Sequence, residues 1–181
     1  MPGGEILTIG HSTHAIEHFM RLLETHRIEA LADVRRYPGS RRSPQFGAEA
    51  LAAALRDAGI TYASYAAELG GRRRTRGDSP NAGWRSPSFR AYADHMASAE
   101  FEVGLQRLLD QTRSARVAIM CAEAHPSRCH RQLIADALLA RRRRVLHILG
   151  DGQLVEHVLT PFAVVDGERV SYPPPQESLL G

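Results

Sequence analysis

The chain has 181 residues, 43% of them hydrophobic and 24% charged, with 23 basic against 20 acidic side chains for a formal charge of +3. This is the balance of a soluble globular chain. It excludes disorder, collagen and a disulfide scaffold, and a chain this long can bury roughly 70% of its unfolded surface in one domain. All the basic residues are arginine, so neither lysine Schiff-base chemistry nor a phosphate-loop lysine is available.

No run of about 18 apolar residues is present, so no membrane span is expected. The opening Met1-Pro2-Gly3-Gly4-Glu5 has no secretory pattern. The expected location is the cytoplasm, where the two cysteines would be thiols.

In chain order, Glu5 to Ile9 reads as a short buried strand ending at Gly10. A helix follows, with Ser12 or Thr13 as N-cap and Ile16, Phe19, Met20 and Leu23 on its apolar face. Ala30 to Val34 is a second strand, followed by a basic, turn-rich stretch from Arg35 to Gly47. Leu51 to Leu55 lie in a helix that Gly59 can stop, and Ile60 to Ser64 form a third strand. Gly70 to Trp84 reads as a long surface loop, rich in Gly, Arg and Asp.

Ser86-Pro87 opens a helix towards Met96, and another runs from Glu100 to Gln111. Arg116 to Met120 is the clearest buried strand. Ser127 is expected to cap a helix carrying Cys129, Leu133, Ile134, Ala137 and Leu138 on one stripe. Val145 to Leu149 is the last core strand. Residues 1–171 are read as a single α/β domain, and 172–181 as a Pro-rich tail with little to bury.

Such alternation implies a three-layer, Rossmann-like α/β fold: a mainly parallel sheet covered on both faces by helices. Ligands bind beyond the carboxyl ends of the strands in such sheets, and the polar residues of this chain cluster there. Gly10-His11-Ser12 follows the first strand, Asp33-Val34-Arg35 ends the second, and Cys121 to Arg131 follows the fourth.

The last cluster is the densest. A cysteine just after a buried strand and near a helix N-terminus has the setting that lowers a thiol pKa from about 8.5. Helix amides with Arg128 and Arg131 would hold an anion. The thiol-phosphatase spacing of Cys, five residues, then Arg is not met, because six residues separate Cys121 from Arg128. The alternative is that Cys121 is a small buried hydrophobe and Cys129 packs on the helix stripe.

These motifs resemble a known family. Thr8-Ile9-Gly10-His11-Ser12, Asp33-Val34-Arg35 with Pro38 and Ser40, and Cys121-Ala122-Glu123 with Cys129-His130-Arg131 match the pattern of the domain of unknown function 488 family across Leu7 to Leu149. The resemblance implies an α/β domain with the three motifs gathered at one site. It implies little about the reaction.

The residues themselves name Cys121, Asp33, His11 and Glu123 as candidate reacting groups. Ser12, Arg35, Arg128, His130 and Arg131 are the candidate anion or substrate contacts. Each has a structural alternative: His11 as a bridge between strand and helix, Asp33 as partner of Arg35, Glu123 as partner of Arg128. Arg141 to Arg144 close a helix, where cations suit the dipole and a solvated face is expected.

Arg35, Arg36, Arg41, Arg42 and Arg72, Arg73, Arg74, Arg76, with Tyr37, Phe46 and Trp84 between them, suit a nucleotide or single-stranded nucleic acid. Cys121, Cys129 and His130 resemble a metal-ligand set, with His11, His125 or Asp33 as further donors. However, no Cys-x-x-Cys pair exists, and neighbours on one helix point about 100° apart. This argues against a structural zinc site and leaves a catalytic one as an alternative, so no metal ligand is assigned and no cofactor is named by the pattern. The leading expectation is an enzyme acting on a phosphate-bearing or nucleotide-like substrate. The alternatives are a non-catalytic nucleotide or nucleic-acid binding module, and a thiol redox or metal-dependent protein.

Overall fold

A computed structural model describes residues 4–176. Its centre is a six-stranded sheet of β1 (Ile6–Gly10), β2 (Ala30–Asp33), β3 (Thr61–Ser64), β4 (Val117–Cys121), β5 (Val145–Ile148) and β6 (Leu154–Glu156) in the order β3-β2-β4-β1-β5-β6. The first five strands in that order run parallel, and β6 is antiparallel to β5. Strands β1, β2, β4 and β5 are buried along their whole length. Their largely apolar runs, interrupted only by Thr8, Asp33 and His147, follow from this, because both faces are covered.

One face is covered by α1 (Ile16–Thr25) and α2 (Ala48–Asp57). Phe19, Leu22, Leu23, Leu51 and Leu55 pack there on Leu7, Ile9, Leu31, Ala118 and Met120. The other is covered by α3 (Pro87–His95), α4 (Ala99–Gln111) and α5 (Arg131–Ala140), packed on Ile6, Ala32, Val117, Ile119 and Cys121. Alternate residues of β4 thus serve opposite cores, as the period of two requires. The expected three-layer α/β architecture is what forms. Among the described residues, no helix is long and apolar enough to cross a membrane.

Several local expectations are corrected. Helix α1 begins later than Ser12 or Thr13 would allow, with Ala15 at the N-cap and no side-chain cap. Ser12 instead adopts φ 48° and pairs its amide with the Ala122 carbonyl. Ser127 does not cap α5. It lies in a 3-10 turn, Pro126–Arg128, where its hydroxyl bonds His125, and α5 starts only at Arg131 with His130 at its N-cap. Cys129, between them, is extended (φ −137°, ψ 149°) and so is not a helix residue.

The 70–84 segment is anchored rather than loose. Arg73 bonds the carbonyls of Gly70 and Ala67, and Asn81 accepts from the Tyr172 amide. Arg141 is not part of a solvated face: its largely buried guanidinium pairs with Glu102 and Glu168. Beyond the expected elements, β7 (Val164–Asp166) and β8 (Arg169–Ser171) form a two-stranded ribbon. Tyr172, placed by the sequence reading in a tail with little to bury, is 0% exposed. Its hydroxyl donates to Asp136.

Candidate active site at the carboxyl edge of the sheet

Helix α1 carries the chain from β1 across β4 to β2 on one face, and α5 carries it from β4 across β1 to β5 on the other. The connections leaving β1 and β4 therefore diverge, which makes their carboxyl ends the place where such sheets open a crevice. Register brings the three motifs level there: Gly10 lies opposite Cys121, and Asp33 opposite Met120. The backbone ladder continues past the strands, from His11 to Cys121, Ser12 to Ala122 and Val34 to Met120. A Cβ on Gly10 would sit 1.8 Å from the Glu123 carbonyl oxygen, so only glycine allows this approach.

A pocket of about 390 Å³ opens at this edge. Of the residues expected at the site, Cys121, Glu123, Arg128, His130 and Arg35 line it, joined by Cys129, which the sequence favoured as a packing residue. Asp33 and His11 sit behind Arg35, and Ser12 and Arg131 do not face the pocket.

Asp33 and Arg35 are a buried, two-pronged ion pair, with Nε to Oδ1 at 2.9 Å and Nη2 to Oδ2 at 2.7 Å. The carboxylate also accepts from the Arg35 amide and from Tyr62 Oη. Burial works against the Arg35 cation, but the Asp33 carboxylate outweighs it and raises the guanidinium above its ordinary value. Arg35 Nη1 donates to the Phe46 carbonyl at 2.7 Å and faces His11 Nε2 at 3.3 Å.

His11 Nδ1 lies 2.8 Å from the Ser12 carbonyl, which can only accept, so Nδ1 carries the proton and Nε2 accepts from Arg35. Burial lowers its pKa, and the ring stacks on Phe46 at 4.4 Å. With every polar atom of Asp33 and His11 engaged, these groups fix the loop after β2 in place.

The reactive chemistry collects on Cys121, Cys129 and His130. His130 Nε2 donates to the Val34 carbonyl at 2.8 Å, which leaves Nδ1 as an acceptor. That atom lies 3.9 Å from Cys121 Sγ and 3.7 Å from Cys129 Sγ. The imidazole is held by Tyr92 and by Gly71, where a Cβ would come within 2.9 Å of Nδ1.

The hydrogen bond with Cys129, reinforced by burial, raises the Cys121 thiol well above its ordinary value. Burial would raise Cys129 as well, but the hydrogen bond from Cys121, the neighbouring His130 and the charge of Arg131 bring it well below. The two thiols are thus pushed in opposite directions, Cys121 towards the neutral form and Cys129 towards the anion. The Arg131 amide at the start of α5 donates to Cys129 Sγ at 3.4 Å.

Arg131, expected to hold an external anion, is 1% exposed. It donates to Thr8 Oγ1 at 3.0 Å and to the Glu123 carbonyl, and its Nε has no partner. From Thr8 a chain of hydrogen bonds runs inward to His147 (2.7 Å), His157 (2.9 Å) and Asp136 (2.8 Å), where Tyr172 also donates. Because Arg131 can only donate and the Asp136 carboxylate only accept, a one-way run of protons from arginine to aspartate satisfies every link with a single proton on each imidazole. Burial lowers His147 to about 3, so it is neutral.

Sequence reasoning missed this chain, although an Asp and an Arg inside the apolar stripe of α5 were a signal for it. It also missed the ring of Tyr92 beneath His130. Above the pocket stand Arg36, Arg72 and Arg128, none paired with a carboxylate among the described residues. Tyr37 is 66% exposed with the Arg72 guanidinium over its ring at 5.9 Å.

The family profile described as "Domain of unknown function DUF488" matches residues 15–138, well over half of the chain. The protein belongs to that family. The matched span holds the Asp33 and Cys121–Arg131 motifs but begins after Gly10-His11-Ser12. Searches of curated proteins and of solved structures gave no significant match.

Proposed function

We propose that the protein is an enzyme acting on a phosphate-bearing, nucleotide-like substrate in the pocket beyond β2 and β4. One observation carries this reading: three guanidinium groups without carboxylate partners among the described residues, Arg36, Arg72 and Arg128, surround a pocket whose floor is the Cys121, Cys129 and His130 cluster. Other arginines near the surface, such as Arg73, Arg107, Arg116 and Arg144, are paired. Guanidinium groups left without a carboxylate around one cavity favour an anion with several oxygens.

The exposed Tyr37 ring and Phe89 offer apolar surface on which a base can stack. In this reading Cys121, Cys129 and His130 form the reacting centre, and Arg36, Arg72 and Arg128 bind the phosphate. Arg35, Asp33 and His11 hold the loop that carries Arg36 and Tyr37.

The test is a panel of nucleotides and phosphate esters, read by thermal shift and by turnover. Ligand stabilisation should fall in Arg72→Ala and Arg128→Ala, and turnover should vanish in Cys129→Ser. A panel in which no phosphate compound stabilises the protein refutes the proposal. Binding without turnover assigns the pocket to a non-catalytic nucleotide-binding module instead.

A further inference from the structure

We infer that Cys121, Cys129 and His130 bind one zinc-type divalent ion, with its fourth coordination position open to the pocket. The catalytic part of that ion rests on the function proposed above; its binding does not.

The geometry starts with the donors. The two Sγ atoms and Nδ1 all lie within 4.8 Å of one another, with sulfur–nitrogen distances of 3.7 and 3.9 Å. Around a tetrahedral zinc, with Zn–S near 2.3 Å and Zn–N near 2.0–2.1 Å, donors stand about 3.5–3.8 Å apart. Nδ1 faces both sulfurs but, with its single lone pair, can accept from only one of them. An ion between them satisfies all three.

The ring is also turned the right way. Its other nitrogen is fixed on the Val34 carbonyl at 2.8 Å, as metal-bound histidines are typically oriented. The objection that neighbours on a helix diverge does not hold, since Cys129 is extended and His130 is only the N-cap of α5.

Electrostatics give independent support. Among the described residues, Arg131 is a buried cation with no carboxylate partner and an unpartnered Nε, beside the Cys129 sulfur that its own amide contacts. A buried positive charge of this kind favours sulfurs that are anionic ligands over neutral thiols. Two thiolates and one imidazole leave a divalent ion formally neutral.

Among the described residues no fourth His, Cys, Asp or Glu joins the set, and all three donors line the open pocket. Three protein ligands with one vacant position is the arrangement of a catalytic rather than a structural zinc site.

The experiment titrates the full-length protein, reduced and stripped of metal, with Co²⁺ alone under anaerobic conditions. The expected result is one equivalent bound, with the visible bands of four-coordinate cobalt and a thiolate-to-metal charge-transfer band, both removed by Zn²⁺. Cys121→Ser, Cys129→Ser and His130→Gln should each weaken binding by more than about 100-fold, since even outer contacts of a metal site are worth up to that much.

Because a variant at this buried cluster can misfold, the wild type supplies a second readout. Zn²⁺ should block iodoacetamide alkylation of both thiols, and a chelator, not phosphate, should restore it. The inference is overturned if the reduced wild type gives no cobalt bands, or if the Cys121→Ser/Cys129→Ser variant binds Co²⁺ as tightly as wild type.

Turnover that persists in metal-free protein overturns the ion's catalytic part and leaves the substrate assignment standing. Cobalt binding without affinity for any phosphate compound supports the ion site and overturns the proposed function.

Discussion

Substituting Asp33 by asparagine separates a structural role from an acid–base one. The Asp33 side chain is 1% exposed and that of its partner Arg35 7%. Asparagine keeps the shape and one acceptor but removes the charge, leaving the guanidinium with the Phe46 carbonyl and the neutral His11 ring. Breaking a buried pair from one side costs about 3–5 kcal/mol, and the retained acceptor places this case near the lower end.

For a chain of this length that is a fall in melting temperature of about 6–12 °C. The assay is urea and thermal unfolding of wild type, Asp33→Asn and Asp33→Asn/Arg35→Met. Because the damage is an unpaired buried cation, removing that cation should return part of the lost stability. A loss below about 1 kcal/mol, or a double variant less stable than Asp33→Asn alone, refutes this account of the pair.

Other perturbations reach the rest of the frame. Gly10→Ala would drive a methyl group into the Glu123 carbonyl, a backbone atom that cannot step aside, and should cost about 3 kcal/mol or more; an unchanged melting temperature would show that the two strand ends part easily. His147 is lowered from 6.5 to about 3, so the unfolded chain takes up its proton first as pH falls. Its contribution is complete above about pH 6.5 and declines below that by up to ~1.4 kcal/mol per pH unit. An NMR titration in which the His147 ring protonates near pH 6.5 in the folded protein contradicts this. Tyr172→Phe removes one donor from the buried Asp136 carboxylate and should cost about 1–3 kcal/mol in urea unfolding; a neutral result would mean that Asp136 is satisfied without it.

What the sequence made legible were the features that rest on burial alone. Ile6 to Ile9, Thr8 excepted, and Val117 to Met120 are apolar because helices lie on both faces, and that placed the polar residues after them at one sheet edge. The cap assignments failed because a serine is a local signal with more than one use. Ser12 spends its backbone on Ala122, and Ser127 spends its hydroxyl on His125.

The position of Cys129 depends on the extended break between a 3-10 turn and a helix, which no periodicity announces. Arg131 reads as a surface anion site by type, yet the space beside Gly10 and Thr8 draws it into the core. Strands β6, β7 and β8 are three residues each and largely exposed, so they carry no burial pattern to read.

The one-way chain from Arg131 to Asp136 also has a consequence for the order of assembly. Thr8, Arg131 and Asp136 are all translated before His147 and His157, and Tyr172 follows Asp136 by 36 residues. Until those later residues arrive, a nascent chain holds an aspartate in the middle of an otherwise apolar helix, with no donor to receive it. The partners that satisfy Asp136 all lie past β5, so docking of α5 onto the sheet is expected to wait on them. Cys129 and His130, which lead into α5, are expected to settle with it.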